Sequence, residues 1–107
     1  MEKEAVQGIS FQLVAHAGEA SACFFDAVEL ARQGDFDAAE AKLSQGTSSL
    51  NGAHDSQTDL LRCEVNGEDI AFSLLLVHAQ DHLMSTILLE RMARELIEVY
   101  RRMADDE

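Results

Sequence analysis

The stretch AFSLLLVHAQDHLMSTILL, residues 71–89, is the most hydrophobic part of the chain, yet it carries four polar residues within five positions. These are His78, Gln80, Asp81 and His82. Burying a neutral polar group without a partner costs about 1–3 kcal/mol, and burying a charge costs more. A helix of this composition therefore needs partners for its polar groups, either within the chain or in another molecule.

Helical periodicity of about 100° per residue places the apolar residues of this segment on two opposite sides. One broad face, which also holds Asp81 and His78 and has His82 toward its edge, collects Leu74, Val77, Met84, Leu88, Met92, Leu96, Val99 and Met103. The opposite side carries Leu76, Leu83 and Ile87. A helix that is apolar nearly all round must be covered on every side, and two partner helices cover only one. We therefore expect the first half of this helix to self-associate through its remaining apolar side.

Length and composition predict one all-α domain over residues 1–107. The chain contains no proline and is 47% hydrophobic, and helix interiors are the places that exclude proline. Glycine-containing breaks at residues 33–35 and 65–69 divide it into three helical segments of about 30 residues, the last from about residue 70 to 103. Residues 51–58 are polar and poor helix formers, so a kink or fraying is expected there. The acidic tail, residues 104–107, is expected to fray.

Charge and hydropathy exclude several classes of protein. The net charge of −12 disfavours nucleic acid as a partner, because phosphate binding needs a basic face. Two interpretations of the charge remain open, an acidic surface that aids solubility and electrostatic steering of basic partner proteins. No apolar run reaches the length of about 18 residues that a membrane span needs, and the polar N-terminus is unlike a signal peptide. We expect a cytoplasmic protein in which Cys23 and Cys63 are reduced thiols.

The four histidines are predicted to lie at one level of the bundle. Short connections make neighbouring helices antiparallel, so the chain folds back at Gly34 and again near Glu68. Counting residues from these folds brings His16, His54, His78 and His82 into one slab, to within about one helical turn. This coincidence indicates a site.

The residues themselves leave three interpretations of this polar cluster open. A hydrogen-bonded network could serve packing alone. His78 and His82 have the i, i+4 spacing of two zinc ligands, which His54 or Asp81 could complete. The third interpretation is a phosphoryl carrier, because imidazole is a good nucleophile near neutral pH and forms a phosphohistidine. Gln80, His82 and His54 would assist it, and no nucleotide is expected because no phosphate-binding loop is present.

Four stretches carry a resemblance to a known family. They are VHAQDHLMSTILL at residues 77–89, AHDSQTDLL at 53–61, VAHAGEA at 14–20 and QGDFDAAEAKL at 33–43. Together they resemble the lactose/cellobiose-type enzyme IIA family of the bacterial sugar phosphotransferase system, over about residues 4 to 100. The HAQDHLM stretch is the most specific of the four.

The resemblance implies an up-down-up three-helix bundle that assembles as a homotrimer of nine helices. It also implies a relay in which the carrier protein HPr phosphorylates a histidine of IIA. IIA then passes the phosphoryl group to a cysteine of its cognate IIB, and IIB phosphorylates the sugar that the membrane component IIC imports. Lactose, cellobiose and chitobiose systems share the motif, so the sugar is not identified.

The resemblance assigns roles to the residues of the motif. His78 matches the phosphorylated histidine, Gln80 is expected to assist, and His82 is expected to orient the site. Asp81 matches an aspartate at the trimer axis that is associated with a metal ion. Three converging carboxylates would repel each other, and Mg²⁺ or a similar divalent cation would relieve this, with proton uptake as the competing remedy. The alternative is a non-enzymatic helical metal-binding or adaptor protein with a His/Asp site.

Overall fold

The computed structural model describes residues 1–106 as three long helices packed side by side. Helix α1 runs over Lys3–Arg32, α2 over Phe36–Val65 and α3 over Leu74–Asp105. The bundle measures 58 × 20 × 18 Å, and residues 1–106 contain no strand. The predicted all-α, up-down-up three-helix architecture is confirmed.

Both turns between helices begin with the same glycine-dependent cap. Gly34 follows α1 with φ +88° and Gly67 follows α2 with φ +90°, a left-handed conformation that only glycine adopts without cost. After α1, the amide of Asp35 donates to the carbonyl of Leu30 at 2.9 Å, which closes a Schellman motif. The Asp35 carboxylate then accepts from the amide of Ala38 at 3.2 Å and caps α2. The first predicted break is therefore a sharp reversal over residues 33–35, whereas the second opens a longer connection over residues 66–73.

The core lies along the line where α1 faces the other two helices. Helix α1 packs extensively against both α2 and α3, whereas α2 and α3 make fewer contacts with each other. Small side chains let the helices approach closely, and larger ones fill the remaining space. The buried cluster comprises Leu13, Ala20, Phe24, Ala27, Ala31, Ala39, Leu43, Leu50, Leu60, Ala53, Ala79, Leu83, Ala93 and Ile97.

Two helix boundaries and the course of α2 differ from the sequence-based expectation. Helix α3 starts at Leu74 rather than near residue 70, because residues 70–73 lie beside the chain start, where the amide of Ala71 donates to the carbonyl of Met1 at 3.0 Å. Helix α2 continues without a break through residues 51–58, since burial of Ala53 and Leu60 outweighs the weak local propensity. The tail is helical as far as Asp105, and residue 107 lies outside the described residues.

In the connection before α3, the carboxylate of Glu68 interacts with the N-terminal ammonium and with the thiol of Cys63. The Glu68 carboxylate lies 3.2 Å from the Met1 ammonium, and hydrogen bonds from that ammonium and from Cys63 lower the pKa of Glu68. The pKa of the Cys63 thiol is raised, first by its hydrogen bond to Glu68 and then by desolvation. Cys23 and Cys63 are both free, as predicted.

We expect Gly46→Ala to destabilise the bundle. A Cβ atom at this buried position would lie 2.6 Å from Cε1 of the fully buried Phe24, so the ring or the helix must shift. Overpacking of this kind costs about 1–3 kcal/mol in the free energy of unfolding, measurable by urea denaturation. Gly18→Ala is the matched control, because a Cβ there meets nothing within 4 Å and should add about 0.5–1 kcal/mol through helix propensity. Equal stabilisation by both substitutions would contradict the close approach of α1 and α2.

We expect Cys63 to react slowly with iodoacetamide at mildly alkaline pH. The thiolate is the reactive form, and the raised pKa keeps the thiol protonated until a higher pH than in an unfolded chain. Glu68→Gln should therefore shift the rate profile of Cys63 alkylation to lower pH, measured by mass spectrometry of the modified peptide. Glu64→Gln, at the exposed position next to Cys63 in the chain, is the control and should leave the profile unchanged, because Glu64 is not among the groups that raise the pKa of Cys63. An unshifted profile in Glu68→Gln would show that this carboxylate does not hold the thiol.

Candidate functional site

Helix α3 presents a long uncovered apolar face on the side away from the bundle. Its buried residues, Ala79, Leu83, Thr86, Ala93 and Ile97, face the other helices. Eight large apolar residues on the other side are 40–74% exposed and form what we call the α3 stripe: Leu74, Val77, Met84, Leu88, Met92, Leu96, Val99 and Met103. The predicted two-sided character of the helix is thus present, and the stripe continues beyond the first half of α3.

Asp81 interrupts this apolar surface, and His78 lies on its flank. Asp81 follows Val77 by four residues and precedes Met84 by three, so it lies on the same helix face as the α3 stripe, and it is exposed in the single chain. His78 is exposed as well and lines a groove of about 740 Å³ together with Leu74, Leu75, Val77 and Asp81. The groove therefore offers a reachable imidazole, a nearby carboxylate and otherwise apolar walls.

The imidazole of His82 is in contact with that of His78. The two ring centroids are 4.4 Å apart with an interplanar angle of 69°, an edge-to-face contact one helical turn apart. Both side chains are exposed, so the contact restricts the rings without sealing them. This geometry is compatible with the orienting role predicted for His82.

Gln80 lies on another side of α3 and does not share this groove within one chain. It is two residues from His78, which places it about 200° away around the helix. Its side-chain amide donates from Nε2 to Oε1 of Gln57 on α2.

Other residues of α3 at seven-residue intervals after Gln80 also face α2. Ile87 lines a small groove with Leu50. Arg94 donates to Thr47 at 3.2 Å, and Arg101 donates to Glu40 at 3.0 Å.

Gln57 contacts the motif in the structure, but the sequence did not link it to the motif. Its position on the inner face of α2 was an available signal, because a polar residue there needs a partner. The partner, Gln80, is 23 residues further along the chain and could be identified only from the packing of α2 against α3.

The other two histidines lie near the same level of α2 but face different neighbours. His16 on α1 packs against Gly52, where a Cβ atom would be 3.5 Å from the imidazole ring. His54, two residues further along α2, is exposed and lines the groove with Ile87 and Glu90. Of the four rings, His78 and His82 are in contact with each other, whereas His16 and His54 face other neighbours, so the four do not converge on one point in a single chain.

A zinc site within one chain finds no support in this arrangement. Among residues 1–106, no group of three or more histidine, cysteine, aspartate or glutamate side chains is placed to hold a metal ion. His78 and His82 lie side by side, but neither His54 nor Asp81 completes a cluster with them.

Hydropathy of the folded helices gives one further constraint. Of the three helices in the described part of the chain, none combines the length and the apolar character that crossing a membrane requires.

Comparison with known proteins places this arrangement in a family. The family described as the lactose/cellobiose-specific IIA subunit of the phosphotransferase system matches residues 8–101. A lactose-specific EIIA component from Staphylococcus aureus is 44% identical over 102 residues, which are 95% of this chain and 99% of the relative. The lactose-specific EIIA component of Lactococcus lactis is 39% identical over 102 residues, 95% of this chain and 97% of that one.

Solved structures show the same fold. The crystal structure of the cellobiose-specific enzyme IIA from Bacillus anthracis has a TM-score of 0.93 and 34% identity, and the match covers 100% of this chain and 96% of that one. The chitobiose IIA in the solution structure of its HPr complex, from the Escherichia coli phosphotransferase system, has a TM-score of 0.78 and 34% identity over 97% of this chain and 99% of that one. The chain therefore belongs to the lactose/cellobiose-specific IIA family and is a component of a sugar phosphotransferase system.

Proposed function

We propose that this protein is a phosphoryl carrier that accepts a phosphoryl group on His78 from phosphorylated HPr and passes it to a cysteine of a cognate IIB. The observation that carries the proposal is the exposed imidazole of His78 in an apolar groove on α3, within the motif that carried the family resemblance. The relative from Escherichia coli was solved as a complex of IIA with HPr, which supports HPr as the donor here. The sugar would be a disaccharide of the lactose, cellobiose or chitobiose type.

The transfer steps follow from the chemistry of imidazole. A ring nitrogen of neutral His78 attacks the phosphorus with its lone pair, while the P–N bond to the donor histidine breaks and its electron pair returns to the donor ring. The donor ring takes up a proton, and His78 releases one from its other ring nitrogen. In the second step the IIB thiolate attacks the same phosphorus, the P–N bond to His78 breaks, and a proton restores the neutral ring. Little acid–base chemistry is needed, so the protein contributes positioning and electrostatics.

The surroundings of His78 suit an exchange of partners. Leu74, Leu75 and Val77 form an apolar wall that can receive the face of a visiting protein. The chain carries a net charge of −12, which would draw in a donor with a basic face. His82 would hold the His78 ring in orientation through their edge-to-face contact. His54 and Gln80, which lie toward α2, could assist only from a neighbouring copy or after rearrangement.

We further propose that the α3 stripe is buried in a homotrimer. Eight exposed large apolar residues on one helix face are far more than a free surface normally shows. Three parallel copies of α3 would bury the stripe and bring three Asp81 carboxylates together at the axis. Carboxylate oxygens are hard ligands, so the three would hold Mg²⁺ or a similar divalent cation with water completing the shell. The cation would offset like-charge repulsion at the axis.

His78→Ala should abolish phosphorylation. When the protein is incubated with phosphoenolpyruvate and the general phosphotransfer proteins, the wild type should acquire one acid-labile phosphate per chain, because phosphohistidine hydrolyses in acid. The His78→Ala protein should acquire less than about 1% of that amount, since the nucleophile is missing. His16→Ala, at a partly buried histidine packed on Gly52, is the control and should be labelled normally. Full labelling of His78→Ala would end the assignment, and no labelling of the wild type would favour an adaptor instead.

Removal of divalent cations should weaken the wild-type trimer but not a trimer of Asp81→Leu. Sedimentation at micromolar concentration should show trimers for both proteins, because the substitution replaces a buried charge by an apolar group. Chelation should shift only the wild type toward monomers, and metal analysis should find roughly one Mg²⁺ per three chains. A wild type that is monomeric at this concentration would contradict the proposed assembly. Equal sensitivity of both proteins to chelation would contradict the cation at Asp81.

A further inference from the structure

The bond between Gln57 and Gln80 ties a residue outside the HAQDH motif to a residue within it. Both side chains are partly buried, and Nε2 of Gln80 donates to Oε1 of Gln57 across the α2–α3 contact. Among the described residues, the carbonyl oxygen of Gln57 accepts no other hydrogen bond. This bond therefore orients the side-chain amide of Gln80. The second N–H and the Oε1 atom of Gln80 remain available for another partner.

His78 and Gln80 flank the α3 stripe on its two opposite edges. At about 100° per residue, Asp81 marks the middle of the stripe, His78 lies about 60° to one side and Gln80 about 100° to the other. Hydrogen bonds confirm that the Gln80 edge faces α2, since Gln80, Arg94 and Arg101 all donate to residues of that helix. Within one chain the imidazole and the amide therefore face apart.

Rotational symmetry brings these two edges together. When three parallel helices pack through the same stripe, one edge of each copy meets the opposite edge of the next. His78 and Gln80 are only two residues apart, so they lie at nearly the same height along α3, about 3 Å apart. The His78 edge of one copy would then meet the Gln57–Gln80 pair of its neighbour.

From this geometry, we propose that Gln57 is a positioning residue that acts on the His78 of the neighbouring subunit. The inference rests on the proposed function and on the proposed trimer. Gln57 holds the Gln80 amide in place, and the free N–H of Gln80 donates to an oxygen of the phosphoryl group during its transfer to His78 of the next copy. Gln57 itself touches neither the phosphoryl group nor the imidazole.

Gln57→Leu should slow phosphoryl transfer while leaving donor binding unchanged. Leucine fills a similar volume but cannot accept from Gln80, so the amide loses its fixed orientation. Misplacement of such a group lowers the rate constant by about tenfold or more. In quenched reactions at varied concentrations of phosphorylated HPr, kcat should fall and the KM for HPr should stay constant. Thr47→Val is the matched control, because it removes the 2.6 Å hydrogen bond to Glu90 between the same two helices, ten residues away. It should cost similar stability and leave the transfer rate unchanged.

Mixed trimers test whether the effect crosses the subunit boundary. Chains with intact His78 are refolded with a large excess of His78→Ala chains, so that each active histidine has inactive neighbours. When the excess chains also carry Gln57→Leu, transfer per intact His78 should fall about tenfold, because the altered pair faces that histidine. When only the His78-bearing chain carries Gln57→Leu, the rate should stay at the wild-type level.

Three results would overturn the inference. They are a wild-type rate in the all-Gln57→Leu trimer, a loss that follows the chain bearing the intact His78, and dissociation of the Gln57→Leu trimer in sedimentation, which would assign Gln57 to assembly. Labelling of the His78→Ala homotrimer would instead overturn the proposed function, so the two failures are distinguishable.

Discussion

The organisation of this protein depends on the fact that α3 is apolar on two opposite sides while the bundle can cover only one. Helix α1 and, to a lesser extent, α2 take the side with Ala79, Leu83 and Ile97. The α3 stripe stays uncovered in a single chain, and burying a large aliphatic side chain is worth about 1.5–3 kcal/mol. A surface of this size supplies ample driving force for the proposed association, which would place the polar motif at the boundary between subunits.

The position of the motif explains why such a hydrophobic helix tolerates polar groups. In the single chain His78, Asp81 and His82 are exposed, so folding does not remove them from water. Gln80 is the partly buried member, and it has its partner in Gln57. The cost of desolvating Asp81 therefore arises only on assembly, where like carboxylates and a cation would meet. A site on the rim of an interface also stays open to other proteins, which a relay component requires.

Much of the fold could be predicted from local signals. Gly34, Gly67 and the capping Asp35 mark the ends of α1 and α2 through chemistry that involves only a few neighbouring residues. The continuity of α2 could not be read locally, because tertiary burial of Ala53 and Leu60 overrides a weak helical sequence. The start of α3 depends on a contact with Met1 from the opposite end of the chain.

The candidate site was predictable in part for similar reasons. Helical periodicity alone places His78 and Asp81 on one face, but the packing of Ala79, Leu83 and Ile97 decides which apolar side the bundle covers. Counting from the loops predicts only a level for the histidines, and side-chain directions decide whether the rings meet. The partnership of Gln57 with Gln80 depends on the register between two helices, which neither helix encodes by itself.

The uneven packing of the three helices has a consequence for motion. Where α2 meets α3, much of the contact consists of polar pairs, such as Thr47 with Glu90 and Arg101 with Glu40. Water competes with such pairs far more readily than with the aliphatic contacts of α1. Amide protons that line this cleft should thus exchange sooner than those along α1, and α2 and α3 can part from each other while each stays docked on α1.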